Sequence, residues 1–262
     1  MQNIIQIQNV SKVFRNDQDQ VVALHGVNLE INHGEFTVII GPSGCGKSTL
    51  LYLLAGFDKP SSGQILLDGQ PVDRPAPDRG FVFQDYALFP WRTVLGNVMF
   101  GLRSNGWKRQ AARARALEFV QLVNLDGFEH AYPHMLSGGM KQRVGIARAL
   151  AYDPKVLLMD EPFGALDAQT RKYMQQELVR IWQKTGKTVV FITHSVIEAV
   201  YLADRIVVMT ARPGQVKGCV EVNLPRPRDY TGEDYLAVRQ KVLDLLEEEV
   251  IKEIQHAQQT TH

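Results

Sequence analysis

Hydrophobic residues in the first 85 positions occur in short runs typical of β-strands. The run 36–40 is apolar apart from Thr37, which indicates a parallel strand buried on both faces, whereas the run 21–31 alternates only in part. This part of the chain is therefore predicted to be rich in strands, with runs at 5–14, 21–31, 36–40, 65–67 and 80–83.

The pattern changes after residue 94. Residues 94–151 carry apolar positions at helical spacing, so this stretch is predicted to be mostly helical. Strands and helices alternate beyond it, which predicts an α/β core with a parallel sheet. The predicted strands are 156–159, 188–192 and 206–209, and the predicted helices are 168–184 and 195–203.

The C-terminal part is predicted to be a helical extension, 230–262, that follows a main domain of residues 1–229. A proline-rich linker, Pro225-Arg226-Pro227-Arg228, precedes an apolar stripe at helical spacing. The acidic run 247–249 is expected to form a solvent-exposed face of this last helix.

Composition and charge exclude several classes of protein. The chain has 262 residues, 45% of them hydrophobic, and a formal net charge of +1, which gives no footprint for nucleic acid. No apolar run approaches the roughly 20 residues that span a bilayer, and the N-terminus does not resemble a signal peptide. The two cysteines, Cys45 and Cys219, are far apart in sequence, which fits a reducing compartment.

The stretch GPSGCGKST, residues 41–49, follows the buried run 36–40 and precedes a predicted helix. It fits the template G-x-x-x-x-G-K-[ST] in the strand–loop–helix context that the template requires. Glycines let the backbone approach crowded phosphate oxygens, and the loop N–H groups favour anions. Lys47 is predicted to reach the β- and γ-phosphates, and Ser48 to hold Mg²⁺. The alternative, a chance glycine-rich turn, is disfavoured by the flanking elements.

Two carboxylates end the apolar run VLLMDE at 156–161. Asp160 is placed to support a magnesium–phosphate site, and Glu161 to orient an attacking water or accept its proton. The alternative is an ordinary acidic loop after a strand.

The stretch LSGGM, residues 136–140, opens a predicted helix. Its backbone N–H groups and the Ser137 hydroxyl form a second candidate anion site. One nucleotide has a single γ-phosphate, so the second site is predicted to serve a nucleotide held by another subunit.

On these motifs the chain resembles, over residues 1–225, the nucleotide-binding subunit of an ABC transporter. The motifs that match that family are LSGG with the following KQRVGIARAL, LLMDEP, Gln84 in the Q-loop, Ala165-Leu166-Asp167 in the D-loop and His194 in the H-loop. The resemblance implies an α/β P-loop NTPase fold, with a RecA-like core, an N-terminal antiparallel β subdomain and an inserted α-helical subdomain at about 88–150. It also implies two copies that sandwich two ATPs head to tail.

The resemblance further implies the roles of individual residues. Glu161 is the implied general base, His194 the contact to the γ-phosphate, and Gln84 its sensor. Ser48, Gln84 and Asp160 form the implied metal site. Phe14 is implied to stack on adenine, unless it is a plain core residue. The implied ATP-binding set is Phe14, Gly41, Pro42, Ser43, Gly44, Cys45, Gly46, Lys47, Ser48, Thr49 and Asp167, with Ser137, Gly138 and Gly139 serving the ATP of the partner.

Two residues depart from the family pattern. Met140 stands where the signature usually ends in Gln, and Ser195 stands where Asp usually follows the H-loop His. Ser195 is predicted to cap a helix and to form a capping box with Glu198. Neither change is expected to abolish activity.

The resemblance implies an importer, because the chain carries no membrane domain of its own. Segments 77–91, 209–214 and 224–228 look like those of the nitrate/sulfonate/taurine importer group. The implied partners are a second copy or a paired ATPase subunit, integral membrane permease subunits and, indirectly, a periplasmic or extracellular solute-binding protein. The implied location is peripheral, at the cytoplasmic face of the cell membrane, and no nucleic acid is expected.

A soluble, non-transport ABC ATPase is the alternative function. Proteins of that class usually carry a long coiled-coil insertion or tandem nucleotide-binding domains, and the sequence shows neither. A small-molecule kinase would share the phosphate loop, but that function does not account for the LSGG motif, so it is disfavoured.

Aromatic residues follow Gln84 in a partly polar neighbourhood. Tyr86, Phe89 and Trp91 are predicted to line a groove for the permease, since aromatic anchors are enriched at the buried centres of interfaces. The alternative is that Phe89 and Trp91 pack the core of the helical subdomain itself.

Overall fold

The computed structural model describes residues 3–15 and 19–259, with side chains through residue 249. Residues 1, 2, 16–18 and 260–262, including the last three of the predicted extension, lie outside the described residues. Its strands are β1 (Asn3–Arg15), β2 (Gln20–Asn32), β3 (Phe36–Ile40), β4 (Ser62–Leu67), β5 (Gln70–Pro71), β6 (Arg79–Val82), β7 (Val156–Asp160), β8 (Thr188–Ile192), β9 (Arg205–Met209) and β10 (Val216–Glu221).

Its helices agree closely with the predicted helical stretches. They are α1 (Lys47–Ala55), α2 (Val94–Ser104), α3 (Arg109–Leu122), α4 (Gly138–Leu150), α5 (Ala168–Thr185), α6 (Val196–Leu202) and α7 (Glu233–Gln259), with a 3₁₀ turn at Pro133–Met135. The described chain forms two compact units. The first contains the described residues of the ranges 1–75 and 188–262, and the second is Ala76–Lys187.

The first unit contains an antiparallel sheet and strands of the α/β core. The antiparallel sheet has the order β2-β1-β4-β5, as expected for the N-terminal β subdomain. In the core, β3 pairs in parallel with β8 and β9, and β10 pairs antiparallel with β9. All five residues of β3, including Thr37, are buried, which confirms the prediction of a buried parallel strand. The edge strand β10 was not predicted.

The second unit combines two parallel strands, β6 and β7, with α2–α5. Helices α2, α3 and α4 pack against one another. The mixture of parallel strands and helices in both units is consistent with the predicted P-loop NTPase fold.

Within residues 3–15 and 19–259, every helix is too short or too polar to cross a membrane.

A glycine allows close packing between β6 and α4 in the second unit. A Cβ at Gly80 would lie 2.6 Å from the carbonyl oxygen of Ala149 and 3.1 Å from Leu157 Cδ1. Backbone cannot yield as a flexible side chain can, so this position excludes larger residues.

Gly80→Ala is therefore expected to lower the free energy of unfolding by about 1–3 kcal/mol through overpacking. Urea denaturation followed by circular dichroism measures this. Gly218→Ala is the matched control, because it is also a strand glycine and its added Cβ would meet only Leu245, at 3.7 Å. Equal midpoints for both variants would contradict the packing argument.

Candidate functional site

The glycine-rich stretch 41–49 lies between β3 and α1, in the predicted strand–loop–helix order. Gly44 and Gly46 have φ values of +74° and +95°, in the left-handed region that favours glycine. Gly46 is also the N-cap of α1. The loop therefore reaches the start of α1 in a conformation that suits anion binding by backbone N–H groups.

The phosphate loop has almost no space for additional side chains. A Cβ at Gly46 would lie 2.7 Å from Leu24 Cδ2 and 2.8 Å from the carbonyl oxygen of Ala23. A Cβ at Gly41 would lie 2.8 Å from Cys45 Sγ. The glycines are therefore required by packing as well as by access to a ligand.

Lys47 is buried, and its side chain folds back over the loop. Its Nζ donates to the carbonyl oxygens of Gly41, at 2.9 Å, and Pro42, at 2.8 Å. Cys45 Sγ lies 3.8 Å from the same nitrogen, and burial raises the pKa of this thiol, so it is neutral at physiological pH. The two carbonyls hold the ammonium group at the loop, where it can meet phosphate oxygens.

Residues 209–214 support the phosphate loop from the same unit. The Arg212 guanidinium donates to the carbonyl oxygen of Gly44 at 3.3 Å. Gly214 N donates to the carbonyl oxygen of Ala23, and a Cβ at Gly214 would lie 2.0 Å from the carbonyl oxygen of Cys45. Sequence reasoning noted this segment only for its resemblance to other chains and missed its contact with the loop.

Two further predicted residues of the first unit have exposed side chains. His194 follows the end of β8 and is exposed. Phe14 is 44% exposed, and Lys12 Nζ lies 5.1 Å from its ring centroid. Phe14 is therefore not a core residue, and its ring is accessible from the solvent.

The carboxylates Asp160 and Glu161 lie at the carboxyl end of β7 in the second unit. Asp160 is buried, with 6% of its surface exposed. Glu161 has φ +40°, an uncommon conformation for a residue with a Cβ and one that recurs at functional sites.

Gln84 lies near Glu161 in the same unit. A Cβ at Gly164 would lie 3.8 Å from Gln84 Nε2 and 4.0 Å from Glu161 Oε2. The structure thus brings together two of the three predicted catalytic residues around one glycine.

The signature stretch begins α4. Ser137 is the N-cap, and its Oγ accepts a hydrogen bond from Met140 N at 3.3 Å. A Cβ at Gly138 would lie 3.0 Å from Tyr86 Oη, and one at Gly139 would lie 2.8 Å from Thr170 Cγ2. Ser137 remains exposed, and its O–H hydrogen can still donate to an anion.

Asp167 is the N-cap of α5. Its carboxylate accepts hydrogen bonds from the backbone N–H groups of Gln169 and Thr170, and the bond from Thr170 is the main reason that the pKa of Asp167 is lowered. The observed role of this D-loop residue is therefore to begin a helix.

Comparison with known proteins gives the same assignment. The family described as ABC transporter matches residues 24–164. The aliphatic sulfonates import ATP-binding protein SsuB of Bacillus cereus is 46% identical over 243 residues, covering 93% of this chain and 96% of SsuB.

The chain belongs to the ABC transporter family.

A nitrate import ATP-binding protein, NrtD of Synechocystis, is 51% identical over 221 residues, which cover 84% of this chain and 83% of NrtD. A dimeric structure of the ATP-binding cassette MJ0796, in a post-hydrolysis state bound to ADP and Pi, has a TM-score of 0.73 and 35% identity, covering 84% of this chain and 100% of that one. The chain is an ABC ATPase with the predicted P-loop NTPase fold.

Two buried polar residues organise the Q-loop of this ABC ATPase, and sequence reasoning missed both. Arg148 on α4 donates to the carbonyl oxygens of Ala87, at 2.5 Å, and Tyr86, at 3.1 Å. Tyr86 and Ala87 both have positive φ values, +58° and +45°. Arg148 therefore stabilises an otherwise unfavourable turn two residues after Gln84.

Asn97 on α2 is the second buried residue. Its Nδ2 donates to the carbonyl oxygens of Arg92 and Thr93, both at 3.0 Å, and its Oδ1 accepts from Phe89 N at 2.8 Å. These bonds hold the loop that carries Phe89 and Trp91. The only sequence signal for Asn97 is a polar residue on an apolar helix face.

The aromatic residues of this loop differ in exposure. Trp91 is 71% exposed and does not pack the core. Phe89 is half-buried, with its ring centroid 4.4 Å from that of Phe100 and 5.7 Å from that of Trp91. Phe89 thus combines a packing contact with a partly accessible face.

Proposed function

We propose that this chain hydrolyses ATP to energise import of a small solute, a nitrate-, sulfonate- or taurine-type anion, through a separate membrane permease. The observation that carries the import direction is the 46–51% identity to SsuB and NrtD, two ATP-binding proteins named for import. The ATPase subunit would work peripherally at the cytoplasmic face of the membrane, and a solute-binding protein would deliver the solute on the other side.

The geometry of the phosphate loop supports ATP binding in this proposal. Gly44 and Gly46 adopt conformations that turn N–H groups toward an anion, and Lys47 is held at the loop by two carbonyls. Phe14 is exposed and can stack on the adenine ring, a contact worth about 1–3 kcal/mol by analogy with base–aromatic stacking.

Magnesium fits the same proposal. Ser48 supplies a hydroxyl, Gln84 an amide oxygen and Asp160 a carboxylate, and hard oxygen ligands of this kind suit Mg²⁺. The ion would neutralise charge that develops on the transferred phosphoryl group. These three side chains would orient it.

Three residues of the chain would carry out hydrolysis. Glu161 would orient the attacking water and accept its proton, while His194 would donate a hydrogen bond to the γ-phosphate. Gln84 lies close enough to Glu161 to report on the same site.

Two copies would form the active assembly, as in the dimeric MJ0796 cassette. Ser137, Gly138 and Gly139 would meet the ATP of the partner, since the Ser137 side chain is exposed and α4 begins there. Asp167 would support this arrangement from the start of α5.

The permease would dock on the second unit beside Phe89. A cavity of about 390 Å³ is lined by residues of α2 and its N-terminal flank, including Arg92, Met99 and Phe100. The Arg92 guanidinium lies 4.9 Å from the Phe100 ring centroid and 5.8 Å from that of Phe89. An aromatic, partly polar cavity of this kind suits an amphipathic helix from a partner.

Glu161→Gln is expected to retain ATP binding and to lower kcat by about 10²–10⁴-fold, because the amide cannot accept the proton. Steady-state phosphate release and nucleotide titration measure the two quantities. Glu118→Gln, an exposed carboxylate on α3, is the matched control and should hydrolyse ATP normally. Near-normal turnover in Glu161→Gln would remove Glu161 from this role.

Composite sites predict complementation between two inactive variants. Ser137→Arg and Lys47→Ala subunits are each expected to lack ATPase activity. A 1:1 mixture should regain up to roughly a quarter of wild-type activity, because half of the random dimers are mixed and each holds one intact site. Full activity of either variant alone would refute the shared site, and a mixture that stays inactive would show that one intact site cannot turn over.

Phe89→Ala is expected to leave ATP binding by the isolated subunit unchanged and to reduce co-purification with the permease and solute transport. Phe128→Ala is the control, since Phe128 is a phenylalanine of the same unit whose side chain is exposed. Normal transport by Phe89→Ala would refute docking at this residue. A variant that fails to fold would instead favour the alternative in which Phe89 is mainly a packing residue.

A further inference from the structure

The C-terminal segment of this chain packs closely on α6, the short helix that follows His194. Tyr235, at the start of α7, is 3% exposed, and Val242 is fully buried. Helix α7 contacts α6, β9 and β10, all within the first unit. The predicted extension is therefore part of the packing of this unit.

The arginines of the predicted linker bind the carboxyl end of α6. Arg228 Nη1 donates to the carbonyl oxygens of Val200, at 2.6 Å, and Tyr201, at 3.1 Å. Arg226 Nη2 donates to that of Leu202 at 2.6 Å. The last carbonyl groups of a helix have no hydrogen-bond donors within it, and their oxygens carry partial negative charge. The two guanidinium groups supply both the missing donors and a compensating positive charge.

The charge on Arg228 persists despite its burial. Burial, with a contribution from the neighbouring charge of Arg226, lowers the pKa of Arg228 to about 10. The group is still protonated at neutral pH. Helix α6 has no basic residue in its own last turn. The arginines of the C-terminal segment therefore supply the positive charge that such a residue would otherwise provide.

A tyrosine from α7 holds the opposite end of α6. Tyr235 Oη donates to the carbonyl oxygen of Ile197 at 2.9 Å, in the first turn of the helix. Tyr230 stacks on Tyr201, with ring centroids 4.7 Å apart and planes within 2°. The C-terminal segment therefore contacts α6 at both of its ends.

His194 directly precedes the N-cap of this helix. Ser195 Oγ accepts from Glu198 N at 3.3 Å, and the backbone N–H of Ser195 donates to Thr193 Oγ1 at 3.0 Å. Thr193 Oγ1 in turn donates to the buried carboxylate of Glu198 at 2.6 Å. Residues 193 and 195, on either side of His194, are thus both fastened to α6.

A seven-residue helix has too few internal hydrogen bonds to fix its own orientation. Its direction depends on the groups that pack against it, here β3 on one side and the C-terminal segment on another. A small change in that direction moves His194, because its two neighbours are tied to the first turn.

We propose that the segment 225–235 positions His194 through α6, so that Arg226, Arg228 and Tyr235 are positioning residues for ATP hydrolysis. This inference rests on the proposed contact between His194 and the γ-phosphate. It gives the C-terminal segment a role in turnover beyond stability.

The test is Tyr235→Phe in the full-length chain assembled with its permease, because this change removes one hydrogen bond and keeps the ring. We expect kcat to fall roughly 2- to 30-fold, the range found for residues that act through a network. KM for ATP and the melting temperature should stay at wild-type values. Glu248→Ala is the matched control, since it removes one polar contact between α7 and Lys217 on β10 without touching α6.

A normal kcat in Tyr235→Phe would overturn the inference, and so would an equal fall in Glu248→Ala, which would indicate general docking of α7. His194→Ala distinguishes a failure of the proposed role of His194 in hydrolysis from a failure of the positioning role. If His194→Ala is inactive while Tyr235→Phe is fully active, the proposed function stands and the positioning role fails. If His194→Ala keeps its kcat, the proposed role of His194 fails and the inference fails with it. Where both lower kcat, the double variant should be no slower than His194→Ala.

Discussion

A loop that binds a polyanion through its backbone must be held in place by neighbours that leave its N–H groups uncovered. In this chain the neighbours include both side chains and backbone carbonyl groups. A Cβ at Gly41 would lie 2.8 Å from Cys45 Sγ, one at Gly46 2.8 Å from the carbonyl oxygen of Ala23, and one at Gly214 2.0 Å from the carbonyl oxygen of Cys45. The strand before the loop is buried along its whole length, which fixes where the loop begins. Other parts of the first unit, including the 209–214 segment, are arranged around this close packing.

In the second unit, buried polar side chains hold two loops in place. Its loops carry Gln84, for which we propose a role in hydrolysis, and the partly accessible ring of Phe89, and neither loop has regular secondary structure to hold it. Buried polar side chains replace that structure: Arg148 binds the turn at 86–87, and Asn97 binds the loop at 89–93. The Arg148 guanidinium and the Asn97 amide donate to backbone carbonyl groups, so these donors are hydrogen-bonded although they are buried. These hydrogen bonds hold the loops in a defined conformation although they are neither helical nor extended.

The sequence alone predicted the elements whose pattern is local, and it failed where long-range contacts decide. Strand β3, helix α4 and the phosphate loop follow from short motifs with clear periodicity. Strand β10 was missed because VKGCVE mixes a charge, a glycine and exposed positions, and it forms only by pairing with β9.

Glu249 was predicted to be exposed, and that prediction was wrong. It is 2% exposed, accepts a hydrogen bond from Ala211 N and pairs with Lys217. Nothing within an acidic run distinguishes the one carboxylate that meets a distant backbone N–H. Arg148, Asn97 and the arginines of the predicted linker were missed for the same reason, since their partners are carbonyl groups that leave no trace in composition or spacing.

The contact between Tyr86 and Gly138 has a consequence for how substitutions at the two sites combine. The two residues are 52 positions apart, yet a methyl group on Gly138 would come within 3.0 Å of the tyrosine hydroxyl. Arg148 fixes the backbone of Tyr86 from the same helix that Gly138 begins, so only the tyrosine side chain can shift to make room. A substitution at 138 and one at 86 are therefore expected to have non-additive effects, because residues in contact share the same space.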